Sequence, residues 1–403
     1  MPLQKTQSNF CIKPFTSVDL TTDGRIRACC EIRPNASKFV GKKKYNVKDS
    51  MKNYWDSDYR KYLMKKFLDN KKPVECKNCW IQENKNSISL RQEANKENKI
   101  IFKTNFKKHL NQLKKLELRE PENVHMSITN LCNLKCQMCE GASSSTLLNE
   151  NVKLGFEKKI KQKDFDWTQE SRLKFVNELL KHDLKSLGLM GGESLMVPEI
   201  LILLRELSKK QDVTENMHLL IITNGTQCND KILDILGKFK KLKIMLSMES
   251  TGKQNEYLRF PSKWHVIKDN IAKFKNLQNA TLHINCVVQN LNILYLDQLI
   301  DFAYDQNIHV KFDILQTPTY LQFKNLPINL LTKSYSKLKK VPKEKVVHTT
   351  NFENLLNIIA KQIEQKQKPS SSEYSEFKTM IKTRDQYRKI SIKNYMPEIA
   401  QEI

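Results

Sequence analysis

Between residues 122 and 315, short apolar segments alternate with amphipathic ones, and this alternation restricts the fold more than any other feature of the chain. The strand-like segments are VHMSITN (124–130), SLGLM (186–190), HLLIIT (218–223), LKIMLSM (242–248), TLHINCVV (281–288) and IHVKFDIL (308–315). Helical patterns fall between them, near 170–182, 197–210, 229–240, 264–277 and 293–306. Six strands joined by helices imply a parallel sheet with right-handed crossovers, hence an α/β fold. Sheets and barrels of this kind bind ligands at the carboxyl ends of their strands. No internal repeat is visible. The expected organisation is a cysteine-rich segment over 1–80, a charged helical connector over 81–121, the βα region over 122–327 and a helical C-terminal extension over 328–403. In that extension Ser370-Ser371-Ser372 reads as a linker, and a short helix is expected around Trp55 to Leu68.

A chain of 403 residues can bury a sizeable core. No apolar run reaches the length of a membrane span, and the opening MPLQKTQSNF has no apolar signal-peptide core. A cytoplasmic protein is therefore expected. In that reducing compartment ten cysteines point to metal or redox chemistry rather than disulfides. The net charge of +25 comes from 69 Lys+Arg against 44 Asp+Glu. It would suit nucleic acid or an acidic substrate. However, the lysines are scattered in short runs such as Lys42-Lys43-Lys44, as an AT-rich coding sequence would also produce.

Three of the ten cysteines lie in LCNLKCQMC (131–139), spaced C-x3-C-x2-C directly after the first strand of the alternating region. A structural zinc site takes four ligands, and a disulfide takes two thiols. Three thiolates on one loop suit three corners of a cubane iron–sulfur cluster whose fourth iron stays open to an outside ligand. Structural zinc remains the alternative. At the ends of later strands stand MGGES (190–194), TNG (223–225) and SMES (247–250). Two glycines let the backbone approach a ligand, and Glu193 offers a carboxylate to an ammonium group. Arg259, in YLRFPS, is either a bidentate carboxylate donor or a surface arginine. Asn285 and Gln289 are both placed to line a pocket. Cys228 and Cys286, being isolated, read as small core residues.

The C-x3-C-x2-C loop followed by GGE one βα unit later resembles the radical S-adenosylmethionine (SAM) enzymes. The resemblance implies a partial (β/α)6 barrel of the radical SAM type. In it Cys132, Cys136 and Cys139 hold a 4Fe–4S cluster, and SAM chelates the open iron. It further implies a SAM site formed by Met138, Gly191, Gly192, Glu193, Thr223, Asn224, Ser247, Glu249 and Arg259. Met138 stands where the family often has an aromatic residue; a thioether still packs on a purine face.

The N-terminal segment reads CIKPFTSVDLTTDGRIRACC (11–30), with CKNCW at 76–80. Its spacing is C-x12-G-x4-C, with Gly24 in an Asp-Gly hairpin turn that brings Cys11 and Cys29 together. Taken alone, four such thiols suggest zinc. Beside the barrel motifs they resemble the auxiliary domains called SPASM and twitch, and the single-cluster twitch form fits the number of cysteines. The resemblance then assigns Cys11, Cys29, Cys76 and Cys79 to a second, auxiliary 4Fe–4S cluster, with Cys30 as the rival of Cys29. In the family that domain usually follows the barrel, whereas here it precedes it.

The implied activity is reductive cleavage of SAM to a 5′-deoxyadenosyl radical. That radical abstracts hydrogen from a peptide, protein or small polar metabolite, and the auxiliary cluster accepts an electron. A reductant such as flavodoxin or ferredoxin is implied, and no membrane partner. No cobalamin domain is apparent, and no cysteine follows Cys286, so the methyltransferase branches of the family are not favoured. The alternative from another class is a zinc-stapled, basic nucleic-acid-binding protein. It accounts for the charge and the CKNC knuckle but leaves the GGE motif unexplained.

Overall fold

The structure, a computed structural model, describes residues 9–32, 50–84, 88–101, 120–158, 167–365 and 370–402. The run Lys42-Lys43-Lys44 and residues 102–119 of the expected connector lie outside the described residues. The fold is α/β, and its residues group into two compact units along lines that differ from the sequence segments. One unit takes 1–129, 160–191 and 197–219; the other takes 130–159, 192–196 and 220–403.

In the first unit the strands are β1 (Ser17–Leu20), β2 (Ile26–Arg27), β3 (Asn123–Met126) and β4 (Ser186–Leu189), in the order β2-β1-β3-β4. Strands β1, β3 and β4 are parallel, with Val18 opposite Val124 and Val124 opposite Leu187. These three residues have no exposed surface. The segment expected to fold as a separate N-terminal domain thus lends a strand to the βα region. β2 returns antiparallel to β1 through a turn closed by Thr21 N–H to the Arg25 carbonyl at 3.0 Å. Gly24 sits there at φ +80°, a conformation that favours glycine. The expected helix near Trp55 is two helices, Met51–Trp55 and Asp58–Leu68. The second is started by the Ser57 hydroxyl, which accepts from Arg60 N–H. It packs Met64 and Phe67 against Phe10, Phe15 and Trp80. Buried Arg60 pins it further, donating to the carbonyls of Pro14 (2.8 Å), Trp55 (2.8 Å) and Phe15 (3.2 Å).

In the second unit the greater part of β5 (His218–Thr223), then β6 (Lys241–Ser247), β7 (Ala280–Val288), β8 (His309–Ile314) and β9 (Thr349–Thr350) lie in sequence order. β6 to β9 are parallel, with Leu246 beside Ile284 and Ile284 beside Val310. Burial alternates along β5 and β6 with a period of two, one face in the core. The helices Asp230–Leu236, Trp264–Lys275 and Leu296–Asp305 fill the expected intervals. The C-terminal extension is helical, over Ile328–Lys339, Phe352–Glu364 and Ser371–Arg388. Ser370 is no linker residue: its hydroxyl accepts from Glu373 N–H and caps the last of these helices, which contains Ser371 and Ser372. Serine at the start of a charged run is a helix-initiation signal as much as a flexible one. Among the described residues no helix is long and apolar enough to cross a membrane.

Candidate active site

The three-cysteine loop, in the second unit, is held by hydrogen bonds that begin just after it. Ser145 N–H donates to the Asn130 carbonyl (2.7 Å), and the hydroxyls of Ser144 (2.6 Å) and Thr146 (2.9 Å) donate to the Leu134 carbonyl. Ser144 also caps the helix Ser145–Lys153, which fixes the exit of the loop. On the other side Lys135 N–H reaches the Phe260 carbonyl (2.6 Å) and Gln137 N–H the Leu258 carbonyl (2.8 Å). The loop therefore has little freedom before any ligand binds.

Within it Cys132 and Cys136 are buried, and Cys139 is half-buried with Met138 beside it. Burial pushes all three thiols up, Cys139 to about 11; the charges of the other two add to the rise at Cys136, and that of Cys132 adds to it at Cys139. Donors face the sulfurs: Leu134 N–H at 3.5 Å and Asn224 Nδ2 at 3.8 Å from Cys132, and an Arg259 guanidinium nitrogen at 3.7 Å from Cys136. Such donors favour thiolate over thiol.

Glu193 has no exposed surface and is tied to this loop through its backbone, its N–H donating to the Leu131 carbonyl at 2.7 Å. The carboxylate accepts from Thr223 Oγ1 (2.8 Å), Asn224 N–H (2.7 Å) and Leu195 N–H (3.2 Å). GGE and TNG are thus one hydrogen-bonded construction. Burial pushes the Glu193 carboxyl up, while the Asn224 and Thr223 bonds pull it back. Gly192 has to be glycine, because a Cβ there would overlap the Leu131 carbonyl.

Arg259 and Glu249, expected as separate contacts, form a buried fork: Nε to Oε2 at 2.5 Å and a terminal nitrogen to Oε1 at 2.8 Å. The bidentate partner of Arg259 is thus Glu249, and the remaining nitrogen faces Cys136. The surface-arginine alternative fails, since Arg259 is 8% exposed. Ser247 ends β6, two residues before Glu249. Cys286 is buried with its sulfur 3.9 Å from the Glu249 carbonyl, as a core residue, but Cys228 is half-exposed and is not one. Gln289 is fully buried with neither polar atom bonded among the described residues; the buried Ser250 hydroxyl and Asn285 Oδ1 are likewise unpartnered. Unmet buried polar atoms cost about 1–3 kcal/mol each and call for a polar ligand or water.

Residues 126–303, which carry the cysteine loop, the GGE strand end and the Arg259–Glu249 fork, match the Radical SAM superfamily. The chain carries a radical SAM domain. This is an enzyme family, and it implies a 4Fe–4S cluster and SAM. The donor set suits both: three thiols on one loop with N–H donors at Cys132 and Cys136, and buried polar atoms left unmet near the ends of β6 and β7. GTP 3′,8-cyclase of Clostridium perfringens strain SM101 is 24% identical over 226 residues, which are 55% of this chain and 64% of that protein. The same enzyme from strain 13 matches to the same extent. The chain therefore spans less than two thirds of the length of these curated relatives. Among solved structures, Streptococcus suis SuiB bound to S-adenosylmethionine has a TM-score of 0.39 and 18% identity, over 58% of this chain and 50% of that chain. Native anSMEcpe with bound AdoMet has a TM-score of 0.41 and 19% identity, over 57% and 64%.

The radical SAM domain draws two contacts from outside the matched range that the sequence did not disclose. Arg384 donates to the Gln137 carbonyl (2.9 Å) and to its Oε1 (3.0 Å), and Arg388 donates to the Lys135 carbonyl (2.8 Å) and to Glu150. The helix Ser371–Arg388 thereby grips the backbone on both sides of Cys136. The i,i+4 spacing of the two arginines was visible in the sequence, but nothing there named their target.

A second thiol site lies in the first unit. Cys11, Cys29, Cys76 and Cys79 line one cavity with ≈ 360 Å³ of free space including its mouth. Cys11 precedes a turn of helix at Lys13–Thr16, Cys29 follows β2, and Cys76 and Cys79 flank the start of the helix Lys77–Asn84. Cys30 is exposed and does not line the cavity. Burial pushes the Cys11 thiol up to about 11, with the Cys79 charge adding to the rise, and burial likewise raises Cys76 and Cys79. Lys13, Glu31 and Arg91 complete the polar part of the wall.

Proposed function

We propose that this protein is a hydrogen-abstracting radical SAM oxidase or maturase with an auxiliary 4Fe–4S cluster. The observation that carries the proposal is the pairing of two thiol sets, three on the loop of the radical SAM domain and four around a separate cavity. In this reading Cys132, Cys136 and Cys139 hold the first cluster and leave one iron for the amine and carboxylate of SAM. Bound there, the cluster and SAM supply reductive cleavage of a carbon–sulfur bond and a 5′-deoxyadenosyl radical that takes a hydrogen atom from the substrate.

The side chains do the rest. Glu193, its carboxylate oriented by Thr223 and Asn224, receives the SAM ammonium. Arg259, held by Glu249, keeps a positive charge against Cys136. Met138 packs on the adenine, and Gly191 and Gly192 let the backbone come close. Ser247, Asn285 and Gln289 line the polar pocket. Cys11, Cys29, Cys76 and Cys79 ligate the second cluster on all four corners, which suits electron transfer rather than substrate binding. Hydrogen abstraction removes one electron with its proton from the substrate. A cluster held by Cys11, Cys29, Cys76 and Cys79 would be able to accept the second electron, the second proton going to solvent, and an external reductant such as flavodoxin or ferredoxin would supply the electron for SAM cleavage. The substrate class is a peptide, protein or small polar metabolite. GTP belongs in the test panel because the curated relatives are named for it.

The test is anaerobic reconstitution of the full chain, counting iron and sulfide, followed by reduction with SAM present and assay of 5′-deoxyadenosine. About eight irons per chain and deoxyadenosine formation are expected. Cys29→Ser should halve the iron, and Cys30→Ser should leave it unchanged. Stoichiometric zinc without SAM cleavage would overturn the reading in favour of a zinc-stapled binding protein. Wild-type turnover in a Cys76→Ala/Cys79→Ala variant would overturn the electron-acceptor role.

A further inference from the structure

The cavity lined by the four N-terminal thiols has in its wall a buried lysine that forms no ion pair among the described residues. Lys13 is 9% exposed and forms part of the cavity wall. Among the described residues its ammonium has no hydrogen-bond or ion-pair partner. Of the other charged groups nearby, Glu31 shares the wall and accepts from Asn78 Nδ2 at 2.9 Å, without a cation among the described residues. Arg91 forks onto Glu83 (2.9 and 2.8 Å) and donates to the Phe10 carbonyl (2.6 Å). Asp19 is held by Arg27 at 2.6 Å.

A buried, unpaired ammonium is expensive, and such charges persist in proteins where a partner offsets the lost hydration. Lys13 shares the cavity wall with Cys11, Cys29, Cys76 and Cys79, so an anion held by those thiols would stand beside it. A 4Fe–4S cluster with four thiolate ligands is an anion, doubly negative when oxidised and triply negative when reduced. A fixed positive charge beside it stabilises the reduced form more than the oxidised form. Charge and hydrogen bonds at the sulfurs are the protein's means of setting such a potential.

We infer that Lys13 is the counter-charge of the auxiliary cluster and raises its reduction potential, which fits that cluster to accept an electron. The inference rests on the auxiliary-cluster reading above. The half-reaction concerned is uptake of one electron by the cluster, and no bond is made or broken at Lys13.

The experiment uses the full chain carrying Cys132→Ala, Cys136→Ala and Cys139→Ala, so that only the auxiliary site can hold iron. Lys13→Met, Lys13→Gln and Lys13→Arg are each added to that background. Iron and sulfide are counted first, and the reduced fraction is then followed by electron paramagnetic resonance in a redox titration. In the neutral variants the ratio of reduced to oxidised cluster at a fixed potential should fall about tenfold, equivalent to about 59 mV for one electron. Lys13→Arg should stay within about twofold of the background. Loss of iron in both neutral variants with retention in Lys13→Arg would equally support the counter-charge. A full iron complement with an unchanged potential in Lys13→Met or Lys13→Gln would overturn it. A background without iron would overturn the auxiliary-cluster reading itself.

Discussion

Replacing Arg388 by methionine tests whether the C-terminal helix is part of the radical SAM site. Both the Arg388 and the Glu150 side chains are completely buried, 2.6 Å apart. The substitution removes both bonds from Arg388 to Glu150 and the 2.8 Å bond to the Lys135 carbonyl, one residue before Cys136. Breaking a buried pair from one side costs about 3–5 kcal/mol, mostly because a charge is left stranded. Glu150 retains Lys135 at 3.3 Å, so the lower end is expected, about 3 kcal/mol. For a unit of about two hundred residues this lowers the thermal midpoint by about 6–12 °C. The Arg388→Met/Glu150→Gln double variant leaves only the partly exposed Lys135 without its partner and should recover part of the loss. Iron on the first site should follow the same order: wild type, double variant, single variant. Iron is counted in a Cys76→Ala/Cys79→Ala background, so that only that site is read. A single variant with wild-type midpoint and iron content would refute the reasoning. So would a double variant no better than the single one, because the stranded charge would then not be the cause.

Other substitutions probe separate parts of the site. Cys136→Ala should lower iron from about eight to about four per chain and abolish 5′-deoxyadenosine formation, as read by iron assay and chromatography. Gly192→Ala puts a methyl 2.7 Å from the Leu131 carbonyl carbon, in the peptide that accepts from Glu193 N–H. Overpacking of about 1–3 kcal/mol should weaken SAM binding by about fivefold to a hundredfold in calorimetry of the reconstituted protein. Burial, and then the Lys13 charge, push the His125 imidazole down to about 3. Its folded value lies below the unfolded value of about 6.5, so the unfolded chain takes the proton first and stability falls as pH drops from about 6.5 toward 3. His125→Gln should flatten that part of the urea-midpoint profile, and an unchanged slope would count against the assignment. Ser370→Ala should cost about 0.5–2 kcal/mol through the lost cap of the helix Ser371–Arg388, read by urea unfolding.

The sequence by itself determined the elements of the βα region. All six strand segments and the five helices between them appear within a few residues of their expected places. The reason is local, because a two-residue or 3.6-residue apolar period declares which face of an element will be buried. The cysteine loop and GGE were legible for a related reason, since their chemistry is written in short spacings. Contacts between segments far apart in the chain were not. A two-residue strand such as β2 or β9 has no period to detect, and β1 gave no sign that it pairs beside a strand more than a hundred residues later. Only the tertiary structure joined Arg259 to Glu249, turned Cys29 rather than Cys30 into the cavity, and carried Arg384 and Arg388 to the backbone around Cys136. Those choices depend on which distant group shares a buried volume, and a side chain's neighbours in space leave no periodic trace in the sequence.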